Sequence, residues 1–279
     1  MSPGVTVVHA CQRAGRGGSP TAVVEEASWS DAERRAVPVA AGTSHAVFVD
    51  ASQHGVVALR FFTSTGELPA CGHGTVAALA VLAERAGTVE YETLLRSGGR
   101  TFPGRATGSG GRYEADFDPG PVELRVPTPA ETGPVLAALG IRPEAPSRVA
   151  SVGRPRLLVQ VPDRLVLAGL APDLARLGAA CDRLGLLGCY VYHPPGADGR
   201  AAARMFAPSI GVPEDIANAN STACLAAHLA DQGVPALAVD MGDALGEPST
   251  VLARTRPGPA GPLVRVGGVA TIKGSRSPD

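Results

Sequence analysis

Two runs of small and apolar residues, with few polar positions on any side, stand in corresponding places of the two halves of the chain. One follows Cys71–Thr75 and stops at Gly87, and the other begins near Ser221 and stops at Gly233. A short apolar or β-branched stretch and a Pro/Gly turn precede each run. This order predicts a strand, a tight loop and a buried helix that a glycine ends. A helix that is apolar all round must be enclosed by its own domain.

The two halves also repeat individual residues. Arg60 and Phe62 before the first run match Arg204 and Phe206 before the second, so the chain looks duplicated. Glycines on both sides of His73 let the backbone approach a ligand. The free N–H groups at a helix start favour a carboxylate or a phosphate. Because small-molecule sites favour domain interfaces, we expect both helix starts to face a cleft between two domains.

The rest of the pattern predicts many short strands and a few outer helices, rather than regular strand–helix alternation. Pro and Gly mark a linker at 118–121. We therefore predict an α+β fold with two domains, 1–117 and 118–263, each a curled β-sheet or barrel around a central helix. The C-terminal strand 264–279 would complete the first domain. The Gly-Gly pair at 267–268 predicts a hairpin turn within this last segment.

Local signals add two predictions. Ser30 followed three residues later by Glu33 is typical of a capping box, and it predicts the start of an outer helix. Glu67 and Glu214 each precede one of the two buried helices. We expect these glutamates to close their loops rather than to do chemistry.

Composition excludes several classes of function. The net charge of −1 provides no broad field that would attract nucleic acid or a membrane surface. We find no signal peptide and no apolar run of the roughly 18 residues that a membrane span needs. Lys273 is the only lysine, which removes P-loop and Schiff-base chemistry, and no GxGxxG pattern follows a strand. The five scattered cysteines are typical of reduced thiols in a cytoplasmic protein, and no CxxC or HExxH pattern indicates zinc.

Several stretches carry a resemblance to one family. They are Gly18–Val24, Ser44–Val49, the long stretch Phe62–Thr75 with Glu-Leu-Pro-Ala-Cys-Gly-His, Gly211–Asp215, Gly246–Ser249 and Val264–Gly268. In these stretches the chain resembles the phenazine-biosynthesis PhzF-like isomerase family, which has the diaminopimelate epimerase-like fold. The resemblance covers most of the chain. It implies two pseudo-symmetric domains with the active site between them, often a homodimer, and cofactor-free proton shuffling on a small carboxylic acid.

The resemblance also implies site residues. In characterised relatives a glutamate moves the proton, and a histidine and an aspartate assist it. The matching positions here hold His45, His73 and Asp215, so His45 stands where the family has glutamate. An imidazole, whose ordinary pKa is about 6.5, can still act as base or acid. The expected substrate-binding residues lie in the first matching stretch and at the two helix starts: Ser19, Cys71, Gly72, Gly74, Asn218, Ala219 and Asn220.

Two other kinds of chemistry are less favoured. Racemases of the same fold use two cysteines, one at each helix start. Cys71 fits the first position, but the second holds Asn218, which cannot titrate. The residue types of His45, His73 and Asp215 would also suit a metal with two histidines and a carboxylate. Their non-local spacing and the metal-free family favour a site without metal.

We therefore expect a cofactor-independent isomerase or epimerase that moves a proton at a carbon of a small carboxylate-containing metabolite, in a biosynthetic pathway. Backbone N–H groups at the helix starts would hold the carboxylate and stabilise an enolate-like intermediate. His45 would take the proton, and Asp215 or His73 would orient the substrate or return the proton. Two alternatives remain: a cyclase or lyase of secondary metabolism with the same proton abstraction, and a non-catalytic small-molecule-binding protein.

Overall fold

The computed structural model of the protein describes residues 4–53, 55–259 and 261–276. Contacts divide the chain into two units. The first unit runs up to Asp118 and also includes Glu247–Thr250 and the chain from Val266 onwards, while the second comprises Pro119–Gly246 and Val251–Arg265. Parts of the predicted domains, namely residues 1–3, 54, 260 and 277–279, lie outside the described residues.

The elements follow the chain in this order. The strands are β1 (Val5–Ala10), β2 (Ser19–Glu25), β3 (His45–Asp50), β4 (Val56–Phe62), β5 (Glu67–Leu68), β6 (Glu90–Ser97), β7 (Arg100–Ser109), β8 (Arg112–Phe117), β9 (Glu123–Arg125), β10 (Ser147–Val152), β11 (Arg154–Gln160), β12 (Cys189–His193), β13 (Arg200–Ala207), β14 (Val212–Asp215), β15 (Ala236–Met241), β16 (Ser249–Arg256) and β17 (Leu263–Arg276). The helices are α1 (Asp31–Ala41), α2 (Gly72–Ala86), α3 (Pro129–Leu139), α4 (Arg164–Ala168), α5 (Leu174–Leu184) and α6 (Ala219–Ala230).

Eight strands of the first unit close into a ring around α2. β1 pairs with β2, β2 runs parallel to β3, and β3 pairs with β4, which runs parallel to β6. An antiparallel meander then leads through β7 to β8, and β17 pairs with both β8 and β1. α2 packs against six of these strands, and every residue from Gly72 to Ala83 is buried. The predicted barrel around a central helix is confirmed for this unit.

The second unit repeats the same sequence of pairings. β10–β11, β11–β12, β12–β13, β13–β14 and β13–β15 have the directions of β1–β2, β2–β3, β3–β4, β4–β5 and β4–β6 in turn. α6 takes the place of α2 and packs against β9, β10 and β15. The internal duplication inferred from the sequence is therefore a duplication of fold.

Matching ion pairs hold the loop before each buried helix. Arg60 on β4 binds Glu67, and Arg204 on β13 binds Glu214, with a shortest N–O distance of 2.7 Å in both pairs. Each guanidinium also lies over the phenylalanine two residues further on, 5.1 and 4.9 Å from the ring centroid. Both glutamates thus close their loops, as predicted from the sequence.

Most of the helix ends predicted from nearby residues are present in the structure. Ser30 Oγ accepts a hydrogen bond from the Glu33 N–H, and Glu33 accepts one from the Ser30 N–H, so the predicted capping box is confirmed. Gly87 ends α2 in the left-handed conformation with φ of 65°.

The matching prediction for Gly233 is only partly correct. α6 stops earlier, at Ala230, and Gly233 has its positive φ in the turn that follows.

The predicted C-terminal hairpin is wrong, because β17 is one continuous strand from Leu263 to Arg276. The two glycines lie inside this strand, where Gly267 pairs with Asp116 and Gly268 with Ala115 of β8. A Cβ on Gly267 would collide with the carbonyl oxygen of Ala115. Glycine at this position permits close strand contact rather than a turn.

Candidate active site

Two of the predicted catalytic residues meet in the first unit. His45 opens β3, and His73 lies in the first turn of α2. Their rings stand edge to face, with centroids 4.4 Å apart and planes at 81°. Both side chains are buried, His45 at 7 % and His73 at 3 % exposure. Residues from two separate elements of the barrel thus form one imidazole pair.

Cys71 joins the pair from the N-terminal cap of α2. Its Sγ lies 3.3 Å from Nε2 of His73. The thiol makes no capping hydrogen bond to the helix, whereas the Cys71 carbonyl accepts hydrogen bonds from the Thr75 N–H and the Thr75 Oγ, both at 2.9 Å. A Cβ on Gly74 would stand 3.1 Å from the same sulfur and 3.0 Å from the Phe61 ring. Gly74 therefore leaves room for the thiol beside His73.

The environment of His45 favours its uncharged form. Burial, and after it the neighbouring His73, hold the pKa of His45 well below its ordinary value. Nδ1 of His45 lies 2.8 Å from the Oγ of Ser44. When the hydroxyl oxygen accepts from the Nδ1–H, the lone pair of the ring is on Nε2. Sequence analysis did not single out Ser44, although its place directly before His45 in a family motif was visible.

Ser19 opens β2 and is 1 % exposed. Among the described residues its Oγ finds no hydrogen-bond partner. Thr21, two residues further and on the same face of the strand, pairs directly with His45 in the neighbouring strand. A buried hydroxyl without a partner needs an explanation, and a ligand atom is one. Substrate contact by Ser19 remains a prediction.

Gln12 was missed by sequence reasoning and organises the loop before β2. Its buried amide donates to the carbonyl oxygens of Gly15 and Gly17 at 3.4 and 3.2 Å, and accepts from Thr271 at 2.5 Å. The loop begins at Cys11 in the left-handed conformation with φ of 61°. Gln12 therefore ties this irregular loop to β17.

The helix start in the second unit is built on an amide. Asn218 caps α6, and its Oδ1 accepts from the Ser221 N–H at 2.9 Å. Its Nδ2 donates to Oδ2 of Asp215 at the same distance, so the amide also holds the half-buried carboxylate. Thr222 donates to the Asn218 carbonyl, as Thr75 does to Cys71 in the first unit. The direct substrate contacts predicted for Asn218, Ala219 and Asn220 stay predictions.

A buried arginine, also missed by sequence reasoning, lies against the start of α6. Arg156 is 1 % exposed, and its Nη1 and Nη2 donate to Ser221 Oγ and to the Arg154 carbonyl at 3.1 and 2.8 Å. Within the described part of the chain no carboxylate pairs with it, and its Nε has no partner. Burial lowers the pKa of Arg156 from its ordinary value. Its positive charge adds to that of the helix dipole.

Comparison with known proteins defines the class of this protein. A solved structure described as a predicted epimerase from Pseudomonas aeruginosa matches 99 % of this chain and 99 % of its own, with a TM-score of 0.82 and 25 % identity. An uncharacterized isomerase of Deinococcus radiodurans is 31 % identical over 262 residues, which are 81 % of this chain and 78 % of the relative. A barrel closed around a buried helix, a second unit that repeats its strand pairings, and relatives named epimerase and isomerase thus define an isomerase of the epimerase-like fold.

The family model of the phenazine biosynthesis-like proteins matches residues 10–275. The chain belongs to this family, as the motifs in its sequence had predicted. A further relative, trans-2,3-dihydro-3-hydroxyanthranilate isomerase of Pseudomonas chlororaphis, is 30 % identical over 227 residues, 75 % of this chain and 73 % of the relative. Over the part of the chain that the structure describes, no helix is both long enough and apolar enough to cross a membrane.

Proposed function

We propose that the protein catalyses cofactor-independent proton transfer at a carbon atom of a small carboxylate-bearing metabolite. One observation carries this proposal. This chain belongs to an isomerase family, and a buried pair of imidazoles, His45 and His73, lies at the start of the central helix of its first unit. Imidazoles are suited to accept and return protons near neutral pH. His45, His73 and Asp215 are the residues to which we assign the acid–base work.

His45 acts as the base. It holds the position at which the family has a glutamate, and burial keeps its ring uncharged and able to accept a proton. The contact with Ser44 orients the ring. His73 lies against it and returns the proton or polarises the substrate, while Asp215, held by Asn218, orients a polar substrate group.

The helix starts supply the binding groups. The first backbone N–H groups of a helix have no partner within the helix, and they form the positive end of its dipole. In α2 these are the N–H groups of Gly72, His73 and Gly74, and in α6 they begin at Ala219. Such groups hold a carboxylate and stabilise the negative charge that develops when a carbon loses its proton.

This chemistry and the relatives support one substrate class. The Pseudomonas chlororaphis relative is named for isomerisation of trans-2,3-dihydro-3-hydroxyanthranilate. A cyclic carboxylic acid with amino and hydroxyl groups is therefore the first kind of compound to test, and we place the reaction in a biosynthetic pathway. All five cysteines are buried and in the thiol form, which supports a reducing, cytoplasmic location. We also propose a homodimer, which sedimentation analysis would test.

Deuterium wash-in tests the proposal. The protein is incubated in D2O, with a chelator present, together with a panel of amino, hydroxy and cyclic carboxylic acids, and C–H signals are followed by NMR. We expect exchange in the wild type, its loss in His45→Gln, and its retention in His193→Gln, a control histidine at the end of β12 in the second unit. Exchange that survives His45→Gln at the full rate would remove His45 as the base.

His45 stands where the family has a glutamate, and this difference favours a second candidate function. In this candidate the protein binds the small carboxylate without turnover. A complete absence of exchange with a compound that nevertheless binds would support this candidate over the enzyme. A cyclase or lyase would begin with the same proton abstraction. Mass spectrometry separates a lyase from an isomerase, because elimination lowers the mass of the product whereas isomerisation does not. NMR of the product identifies a cyclase, because ring closure without loss of a group leaves the mass unchanged.

A further inference from the structure

We infer that His45, Cys71 and His73 form a binding site for a zinc ion. One ligand atom from each residue, an imidazole nitrogen or the thiol sulfur, lies within 4.8 Å of the other two, and all three residues are buried. Sequence analysis combined the two histidines with Asp215 and expected no metal. The structure adds a different third group, the thiol of Cys71, and all three ligands belong to the first unit.

The distances suit tetrahedral zinc. Zinc lies about 2.3 Å from thiolate sulfur and about 2.0–2.1 Å from imidazole nitrogen, so two tetrahedral ligand atoms are roughly 3.3–3.6 Å apart. Sγ of Cys71 and Nε2 of His73 are separated by 3.3 Å. No separation in the group is larger than 4.8 Å, so none exceeds that spacing by more than about 1.5 Å. Zinc binding thus requires the side chains to close by no more than this amount.

The donor set and its surroundings select the metal. Two imidazoles and a thiolate suit zinc, whereas magnesium and calcium prefer oxygen ligands. The second ring nitrogen of His45 contacts Ser44, which fixes the ring in the way that outer partners of zinc-binding histidines do. Cys71 and His73 come from the start of a 15-residue helix, so two ligands have a rigid support. Three protein ligands leave the fourth position open to water or a substrate atom.

The site would control the activity proposed above. The zinc ion takes the lone pair of His45, which is the lone pair that the base needs. Zinc is therefore expected to inhibit proton exchange and a chelator to restore it. Only this consequence rests on the proposed function, because metal binding itself depends on the three side chains alone.

Cobalt(II) is the probe, because it occupies zinc sites and a coordinated thiolate gives it a charge-transfer band in the near ultraviolet. Metal-free protein is titrated with cobalt, and zinc is then added. We expect the band to saturate at one cobalt per chain and to disappear when zinc displaces the cobalt. Cys71→Ala should lose the band, while Cys224→Ala, which removes another buried thiol, should keep it.

The histidine variants complete the test. His45→Gln and His73→Gln should each weaken zinc binding by more than the roughly 10–100-fold caused by loss of an outer partner. His45→Gln keeps Cys71, so it tests the site even if Cys71→Ala does not fold. A wild type without the band, a band that persists in folded Cys71→Ala, or an unchanged zinc affinity in His45→Gln would each overturn the inference.

The zinc and proton-transfer proposals fail separately. Exchange measured with a chelator present does not depend on metal binding, and the cobalt band does not depend on turnover. A protein that exchanges deuterium but shows no cobalt band would refute the zinc site alone. A protein with the band but without exchange would refute the proposed function alone.

Discussion

The edge of one imidazole meets the face of the other where His45 and His73 pack at a centroid distance of 4.4 Å. This pair replaces the glutamate–histidine pair that the family resemblance implies at these positions. Burial, and after it the neighbouring His73, lowers the pKa of His45 well below its ordinary value. His45 is therefore held in its uncharged form, the form in which an imidazole can accept a proton from a substrate.

Restoring the family residue tests this view of the pair. We expect His45→Glu to retain proton exchange and His45→Gln to reduce its rate by about 10²–10⁴-fold, because only the amide cannot accept a proton. Rates would be measured by NMR wash-in on the same substrate with a chelator present. Equal losses in both variants would mean that position 45 requires imidazole itself.

Breaking the two matching ion pairs should have unequal effects. The side chains of Arg204 and Glu214 are 13 % and 10 % exposed, whereas those of Arg60 and Glu67 are 38 % and 42 % exposed. Glu214→Gln should lower the free energy of unfolding by about 3 kcal/mol, since it leaves the largely buried guanidinium of Arg204 with carbonyl partners but without a carboxylate. Glu67→Gln should lower it by less than about 1 kcal/mol, because water screens that pair. Urea unfolding of both variants gives the comparison, and similar losses would contradict this account.

Arg156 is predicted to contribute nothing to stability through its charge. Its guanidinium is buried, and no carboxylate among the described residues offsets the loss of hydration. Arg156→Met should therefore be neutral or raise the free energy of unfolding by about 1–4 kcal/mol, as replacement of buried charges often does. Exposed Arg154→Met serves as the control, with little expected change. A loss of several kcal/mol in Arg156→Met, measured in urea, would show that the hydrogen bond to Ser221 matters more than the buried charge.

Two glycines should respond to alanine in opposite directions. A Cβ on Gly104 would stand 2.8 Å from a methyl carbon of Leu95 and 2.9 Å from one of Leu79, inside the barrel of the first unit. Gly104→Ala should cost about 1–3 kcal/mol through overpacking. Gly133 lies within α3 with nothing within 4 Å of an added Cβ, so Gly133→Ala should stabilise by about 1 kcal/mol. Thermal unfolding would measure both, and the same sign of change would be inconsistent with these contacts.

Acid should remove the contribution of Glu131. Hydrogen bonds from Arg125, and then those from Thr128, lower the pKa of Glu131 to about 2 from its ordinary 4.5. Because the folded pKa lies below the unfolded one, the stabilisation is present above pH 4.5 and is lost as the pH falls towards 2. The stability difference between wild type and Glu131→Gln should therefore shrink over this pH range. The effect is small, because water screens the exposed Arg125, and high salt should reduce it further.

Sequence alone determined the features that depend on neighbouring residues. The capping box of Ser30 and Glu33 and the left-handed glycine that ends α2 need only groups a few positions apart, and both are present as predicted. The repeated order of strand, loop and buried helix was also visible, because a helix that is apolar all round needs a shell of its own strands. Family motifs then connected this pattern with isomerase chemistry.

Tertiary structure decided which distant side chains meet. His45 reaches His73 because β3 lies beside β2 in a closed ring around α2. The same ring brings His45 to the thiol of Cys71, which is a local neighbour of His73. The glycines of β17 look like a turn in the sequence, yet they serve close contact with β8. In the sequence Arg156 looks like an ordinary strand residue. Only the structure shows that its side chain is buried and that no carboxylate among the described residues pairs with it. Caps and turns depend on local hydrogen bonds, whereas burial and partners depend on strand register across the whole fold.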